Sequence, residues 1–382
     1  MPVKITCKQQ DLSRGLSVVG HAVSSRSTLP ILANILLATD SGRLKLSATN
    51  LEIGIQCWID AEVHEEGTTT VPAKLITDLI NSLPQASVDL TVPDDTHTIN
   101  IKSLRSSASI KGMDPSEFPL IPSAEGGEAP VILDAKLLKE MIDQVAFAAA
   151  NDDSRPVFTG VQVEVSNEKV TFAAADAFRL AVRESPLPGH DEAHGSILIP
   201  ARTLTELARI LPGEGAIQMI VTPNRSQVLF HSETGIDLVS RLIEATFPNV
   251  RGVIPKEHTT RAVVETKEFA AAVKSVTPFA RDSSNITRVK LNSGDGTEGG
   301  SLTIEATAED VGSNVSTINA AVDGPEQQII FNVKYLADVL SVLNTPEVAI
   351  EVTSAARPGV IKPVGDIGAL YTYVIMPMST NR

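Results

Sequence analysis

One helical pattern occurs three times in this chain, at intervals that only whole domains can span. Val71-Pro72-Ala73-Lys74-Leu75-Ile76-Thr77-Asp78-Leu79 reappears as Ile199-Pro200-Ala201-Arg202-Thr203-Leu204-Thr205-Glu206-Leu207, and again as Phe331-Asn332-Val333-Lys334-Tyr335-Leu336-Ala337-Asp338-Val339. Pro72 and Pro200 lie 128 positions apart, and Pro200 and Asn332 lie 132 apart. Solenoid units run to roughly 20–50 residues, so a period of this size encodes a domain and not a stacking unit. A chain of 382 residues can hold three of them.

Other patterns keep step with the first. Leu44-Lys45-Leu46-Ser47-Ala48-Thr49-Asn50 matches Val170-Thr171-Phe172-Ala173-Ala174-Ala175-Asp176 and Leu302-Thr303-Ile304-Glu305-Ala306-Thr307-Ala308, at offsets of 126 and 132. These segments largely alternate apolar and small or polar residues, the period of a strand with one buried face. Ser109-Ile110-Lys111-Gly112 leads to Phe118-Pro119, and Leu238-Val239-Ser240-Arg241 leads to Phe247-Pro248. The third unit closes on Leu370-Tyr371-Thr372-Tyr373-Val374-Ile375-Met376-Pro377 without a Phe-Pro.

Each unit also opens with an amphipathic helix. Leu12, Leu16 and Val19 share a face of the first; Leu137, Leu138, Met141, Ile142 and Val145 of the second; Phe269, Ala272, Val273 and Val276 of the third. Asp11, Asp134 and Thr266 stand where N-caps are expected. The reading is α+β: three repeated domains over 1–125, 129–255 and 256–382, each with two helices packed on antiparallel sheets. Ser123 to Glu128 and Lys256 to Thr260 read as linkers.

Composition closes off several function classes. No apolar run approaches the roughly 20 residues of a membrane helix, and Val3-Lys4-Ile5-Thr6 reads as a strand and not as a signal peptide. Two cysteines, Cys7 and Cys57, are too few for a disulfide framework and suit a cytoplasmic protein. A net charge of −14 argues against a surface coated in nucleic acid. It leaves open a basic interior inside an acidic exterior. Lys74, Arg202 and Lys334 hold the same place in the three copies of the second helix, and Arg209 follows in the middle copy. Arg14, Lys136, Lys139, Lys267 and Lys274 lie on the opening helices. A lone first-turn lysine is commonly no more than a solvated group, but three in register around a hole would hold phosphates without reading bases.

Some motifs are declined. Gly294-Asp295-Gly296-Thr297-Glu298-Gly299 has dinucleotide-site spacing but precedes a strand, where such a site needs a helix N-terminus. His190-Asp191-Glu192-Ala193-His194 lacks the glutamate of a zinc-protease motif and lies among Pro186, Pro188, Gly189 and Gly195. Asp94-Asp95 and Asp152-Asp153 read as turns. No catalytic set, cofactor or metal is expected.

The chain resembles the beta sliding clamps of the bacterial replicative DNA polymerase. The resemblance rests on Ser27-Thr28-Leu29-Pro30-Ile31-Leu32-Ala33-Asn34 with Leu36-Leu37, Thr49-Asn50-Leu51-Glu52, Thr69-Thr70-Val71-Pro72-Ala73, and Asp176-Ala177-Phe178-Arg179-Leu180-Ala181. Phe247-Pro248 with Pro255-Lys256, Phe331-Asn332-Val333 with Tyr335, and Val374-Ile375-Met376-Pro377-Met378 complete it, in the family's order, from about residue 5 to 378. The family implies a non-catalytic head-to-tail homodimer, six domains to the ring, with helices lining a pore around double-stranded DNA. Its partners would be the replicative polymerase catalytic subunit, the clamp loader and other clamp-binding-motif proteins.

Arg26 matches a family arginine that touches DNA, and Lys74 and Arg202 match basic pore positions. Lys136, Lys139, Arg209 and Lys334 would extend that lining. A partner-peptide pocket between the second and third domains carries over to Phe158, Ala175, Ala177, Phe178, Arg179 and Leu180. It continues through Pro248, Gly252, Val253, Asn332 and Tyr335 to Val374, Ile375, Met376, Pro377 and Met378. Leu180, Val253, Val374, Met376 and Met378 would form an aliphatic hole, with Arg179 and Asn332 as polar groups at its rim. Read without the family, Val374 to Met378 is a plain core strand. The chain departs from the family at Ala177-Phe178, where Gly-His is frequent, at Gly252, where arginine is expected, and in its added Ser379-Thr380-Asn381-Arg382. The pocket rim should therefore be more apolar. The competing readings are a repeat-built adaptor that binds peptides but not DNA, which the negative charge favours, and a hydrolase at the His190/His194 loop.

Overall fold

The structure, a computed structural model, describes residues 3–24, 28–93, 96–122, 127–152, 154–166, 168–189, 195–294 and 299–379. Arg26, Asp94, Asp95, Asp153, the His190–His194 loop, most of the Ser123 to Glu128 linker and the last three residues lie outside these. Six α-helices occur among the described residues: α1 (Gln9–Gly20), α2 (Ala73–Ser82), α3 (Ala135–Val145), α4 (Ala201–Ile210), α5 (Thr266–Arg281) and α6 (Val333–Val342). They are the three pairs expected. The repeated strands fall at Arg43–Thr49, Lys169–Ala175 and Ser301–Ala308, in step with the helices.

The chain packs as two compact units, between which the central repeat is divided. One holds residues 1–139 and 206–242, the other 140–205 and 243–382. The first unit carries a five-stranded sheet of β5 (Ala61–Glu65), β1 (Val3–Lys8), β7 (Ser87–Val92), β8 (Thr98–Ser103) and β9 (Ser106–Lys111), in that order. Its second sheet has eight strands: β10 (Val131–Asp134), β15 (Ala216–Val221), β16 (Gln227–Ser232), β17 (Ile236–Arg241), β4 (Ile53–Ile59), β3 (Arg43–Thr49), β2 (Asn34–Asp40) and β6 (Thr68–Pro72).

The second unit has a nine-stranded sheet: β14 (Gly195–Pro200), β11 (Gly160–Ser166), β12 (Lys169–Ala175), β13 (Arg179–Pro186), β26 (Tyr371–Ile375), β25 (Gly359–Pro363), β24 (Glu347–Val352), β18 (Thr260–Glu265) and β22 (Ala321–Asp323). A four-stranded sheet of β21 (Gly312–Asn319), β20 (Ser301–Ala308), β19 (Ile286–Asn292) and β23 (Gln327–Asn332) completes it. The pairings recorded are antiparallel. Two seams explain why compactness cuts across the repeats. β17 pairs with β4, setting Leu238 opposite Ile55, and β13 pairs with β26, setting Leu180 opposite Val374. Strands of the central repeat thus complete a sheet in each unit.

The helix starts repeat a single device. The first N–H of α1, α3 and α5 donates to the carbonyls of Ala86, Gly215 and Pro346, each directly before the strand that follows the second helix of its repeat. This satisfies a backbone donor that would otherwise need a cap. Of the three expected N-caps, only Asp134 serves, accepting from the Leu137 N–H at 2.9 Å. Asp11 lies inside the first turn of α1, and Thr266 is the first residue of α5, because strands β1 and β18 run straight into their helices. The declined glycine motif lies between β19 and β20, an antiparallel pair with Asn292 opposite Ser301, with residues 295–298 outside the description.

Aliphatic side chains fill the cores, as the scarcity of aromatics requires. Helices α1 and α5 lay their apolar faces on strands β3–β4 and β20–β21 respectively. Gly359 has a local reason: a Cβ there would lie 2.4 Å from Cζ of Phe331, so the ring packs directly on the β25 backbone.

Candidate functional site

Every residue assigned to the partner pocket falls in the second unit, around the seam between β13 and β26. Register places Ala175, Leu180, Val374 and Val360 side by side across four adjacent strands. All four are buried, together with Ala173, Val182, Leu198 and Phe247. Phe158 packs against this row and meets Phe247 edge-on, with centroids 6.3 Å apart. Around this floor three large apolar side chains are left open: Phe178 is 57% exposed, Val253 48% and Met376 38%. Pro248, Gly252 and Ala177 are exposed beside them, and Asn332, Tyr335, Pro377 and Met378 are partly buried.

Hydrogen bonds pin these open residues. The Asp176 carboxylate accepts from the Phe178 and Arg179 N–H groups at 2.7 and 2.9 Å, an Asx turn that presents the Phe178 ring. The Met376 N–H donates to the Phe178 carbonyl and the Met378 N–H to the Ile330 carbonyl, both at 2.8 Å. The tail of β26 is therefore strung between β13 and β23. Asn332 caps α6, its side chain accepting from the Lys334 N–H at 3.0 Å.

Two expected pocket residues point the other way. Successive side chains on a strand take opposite faces, so Arg179 and its cross-strand neighbour Ile375 lie behind the Leu180–Val374 row. Arg179 is no rim group. It is buried, forms ion pairs with Asp176 (3.1 Å) and Asp338, and donates to the Phe147 carbonyl at 2.7 Å. Its guanidinium stacks 4.5 Å from the Tyr335 ring centroid.

Arg183 is buried on the same face and donates to Gln144 Oε1 at 2.9 Å. The Tyr371 hydroxyl donates to the Gln144 carbonyl at 3.0 Å and that of Tyr373 to the Tyr335 carbonyl at 3.1 Å. Burial pushes both phenols well above the usual tyrosine range. Asp338, which anchors Arg179, was not expected from the sequence. A signal existed: acids recur at this place in all three helix repeats, as Asp78, Glu206 and Asp338.

The basic residues divide between the units. Lys74 on α2, Lys136 and Lys139 on α3, and Arg209 on α4 belong to the first, and Arg202 on α4 and Lys334 on α6 to the second; all six are exposed. Lys139 donates to the Ala208 carbonyl at 3.1 Å. Arg209 pairs with Glu206 at 2.7 Å, and Glu206 also meets His21 at 2.7 Å. Arg209 is thus partly neutralised, whereas Lys74, Lys136, Arg202 and Lys334 form no ion pair among the described residues. Those residues hold no cluster of metal-ligating side chains, and no helix among them is long and apolar enough to cross a membrane.

The chain matches three successive families: DNA polymerase III beta subunit, N-terminal domain, over residues 3–122; central domain, over 132–249; and C-terminal domain, over 251–379. A beta sliding clamp of Synechocystis is 34% identical over 396 aligned residues, covering 98% of this chain and 99% of the relative. One of Synechococcus elongatus is 33% identical, with the same coverage. The crystal structure of the Bacillus subtilis DNA polymerase sliding clamp superposes with a TM-score of 0.91 at 28% identity, covering 100% of both chains. The chain belongs to the DNA polymerase III beta subunit family, the beta sliding clamps.

Proposed function

We propose that the chain is a non-catalytic DNA sliding clamp whose two copies join head to tail into a ring around duplex DNA. The observation that carries the closure is a pair of open sheet edges. The five-stranded sheet ends in β9 and the four-stranded sheet in β21. Joined edge to edge between two copies, they would build a sheet of nine strands, equal to the one that already contains the β13–β26 seam. Open edges are otherwise a liability for a soluble protein.

Both edges carry exposed apolar residues: Leu104 beside β9 is 70% exposed, and Val315 on β21 is 61%. Charge is complementary, with Arg105 and Lys111 exposed along the first edge and Glu309 and Asp310 before the second. The contact is heterologous, so it closes only if its rotation permits, as a six-domain ring requires. The domain boundaries 1–125, 129–255 and 256–382 suit this arrangement.

A duplex held by encirclement needs only weak phosphate contacts, which Lys74, Lys136, Arg202 and Lys334 are free to make and Arg209 and Lys139 supplement. Arg26 is assigned to the same lining by resemblance. The Leu180–Val374 floor with Phe178, Val253 and Met376 around it suits short linear peptides, bound through one or two buried apolar anchors. Replicative polymerase, clamp loader and other clamp-binding proteins would dock there, in the cytoplasm.

Sedimentation at micromolar concentration is expected to give twice the 40.5 kDa chain mass, and Val315→Asp is expected to give a monomer. A wild-type monomer would overturn the ring. Loaded protein should stay on circular DNA and leave linear DNA; a peptide-binding adaptor would be retained by neither. Reversing Lys74 and Arg202 to glutamate should weaken retention at low salt and leave peptide binding intact.

A further inference from the structure

A cleft of about 340 Å³ opens on the sheet face beside the pocket floor. Its floor continues the pocket: Ala173 and Val182 belong both to the cleft wall and to the buried apolar cluster that holds Leu180 and Val374. Farther along, the lining turns polar. Glu164 lies opposite Thr171, which lies opposite Glu184, one row across β11, β12 and β13. Arg251 also lines the cleft, and its charge is paired with Glu184 at 3.4 Å, as is that of Lys169 at 3.0 Å. Glu164 is partly exposed and has no ion-pair partner among the described residues.

We propose that this cleft extends the partner pocket and receives a lysine or arginine of the docked peptide on Glu164. This rests on the pocket assigned above. The occupant is a partner peptide because the cleft shares its floor with the pocket. It is basic because the one carboxylate there without a counter-ion faces the cleft, in a chain of net charge −14 that repels acidic segments. Glu184 follows Leu180 by four residues on β13, about 13 Å at ~3.3 Å per residue. Glu164 lies in the same row two strands across from Glu184, about 10 Å at ~4.8 Å per strand, so it stands about 16 Å from Leu180, a span that four extended residues and the length of a lysine or arginine side chain cover together.

Short synthetic peptides with a central leucine-phenylalanine pair test this. Each carries lysine, alanine or glutamate four residues before or after the pair, and is titrated by fluorescence anisotropy against wild type, Glu164→Gln and Met376→Ala. On one side of the anchor, lysine should bind wild type about threefold to fivefold tighter than alanine at low salt, the size of a partly exposed ion pair. Glutamate should bind more weakly than alanine. The lysine advantage should vanish in Glu164→Gln and at high salt. No advantage on either side, or an equal one in Glu164→Gln, overturns the proposal and leaves the pocket standing. If Met376→Ala does not weaken the alanine peptide, the pocket assignment falls and this inference with it.

Discussion

Strand β13 presents two opposite environments within one residue step. Leu180 faces an apolar floor that ends in open side chains. Arg179 faces the other way, into a closed polar cluster with Asp338, Tyr335, Phe147 and Tyr373. The first face leaves apolar surface for something else to cover. The second has partners for its buried charge, the condition under which burying a guanidinium is tolerable. The open face has a hydrogen-bonded back, with bonds that reach from β13 and β26 to Gln144, Phe147, Tyr335 and Asp338.

The contrast can be broken from the closed side first. Arg179→Ala leaves the largely buried Asp176 without its partner and empties the space against Tyr335 and Phe147, and should lower unfolding free energy by about 3–5 kcal/mol in denaturant titration; a change under about 1 kcal/mol would mean the back is not anchored there. Leu180→Ala should also destabilise the fold, by about 2–5 kcal/mol, because Leu180 is only 4% exposed. Met376 is the cleaner probe of the open face. Met376→Ala should weaken an apolar-anchored peptide by about 1–3 kcal/mol while leaving the melting temperature nearly unchanged, and equal loss of stability and affinity would erase the distinction between the faces.

The smallest effect is a titration. The folded chain holds Tyr371 and Tyr373 protonated by burial. Their contribution is complete below about pH 10, the unfolded tyrosine value. It is lost as pH rises further, because only the unfolded chain then releases those protons. Alkaline unfolding should begin near that pH, and Tyr373→Phe should move its onset upward while costing about 1 kcal/mol at neutral pH through the lost bond to the Tyr335 carbonyl. An unchanged onset would place that phenol in water.

Local order was legible because it is local. The repeated helices and strands appear at their expected positions since 3.6-residue and 2-residue periods are properties of contiguous sequence. Asp11 and Thr266 do not cap because β1 and β18 run straight into α1 and α5 and leave both residues inside their helices, and where those strands end is set by pairing with β7 and β24, some 80 residues along the chain. The pocket residues rest on resemblance, and resemblance does not tell which of them share a face: it groups Arg179 and Ile375 with Leu180 and Val374. Alternation along β13 separates them, and the Asp338 partner that explains Arg179 lies 159 positions away.

A threefold α+β repeat, an aliphatic core and basic residues in register can all be read from the residues in order, because each follows from pattern and composition. Long-range strand pairing sets the rest: that the repeats share two compact units, that Arg179 is buried behind the Leu180–Val374 row, and that β9 and β21 end their sheets with one open edge each. Those outcomes depend on which distant strands share hydrogen bonds, and a backbone N–H or C=O is the same group in every strand, so no side-chain pattern along the chain names its partner.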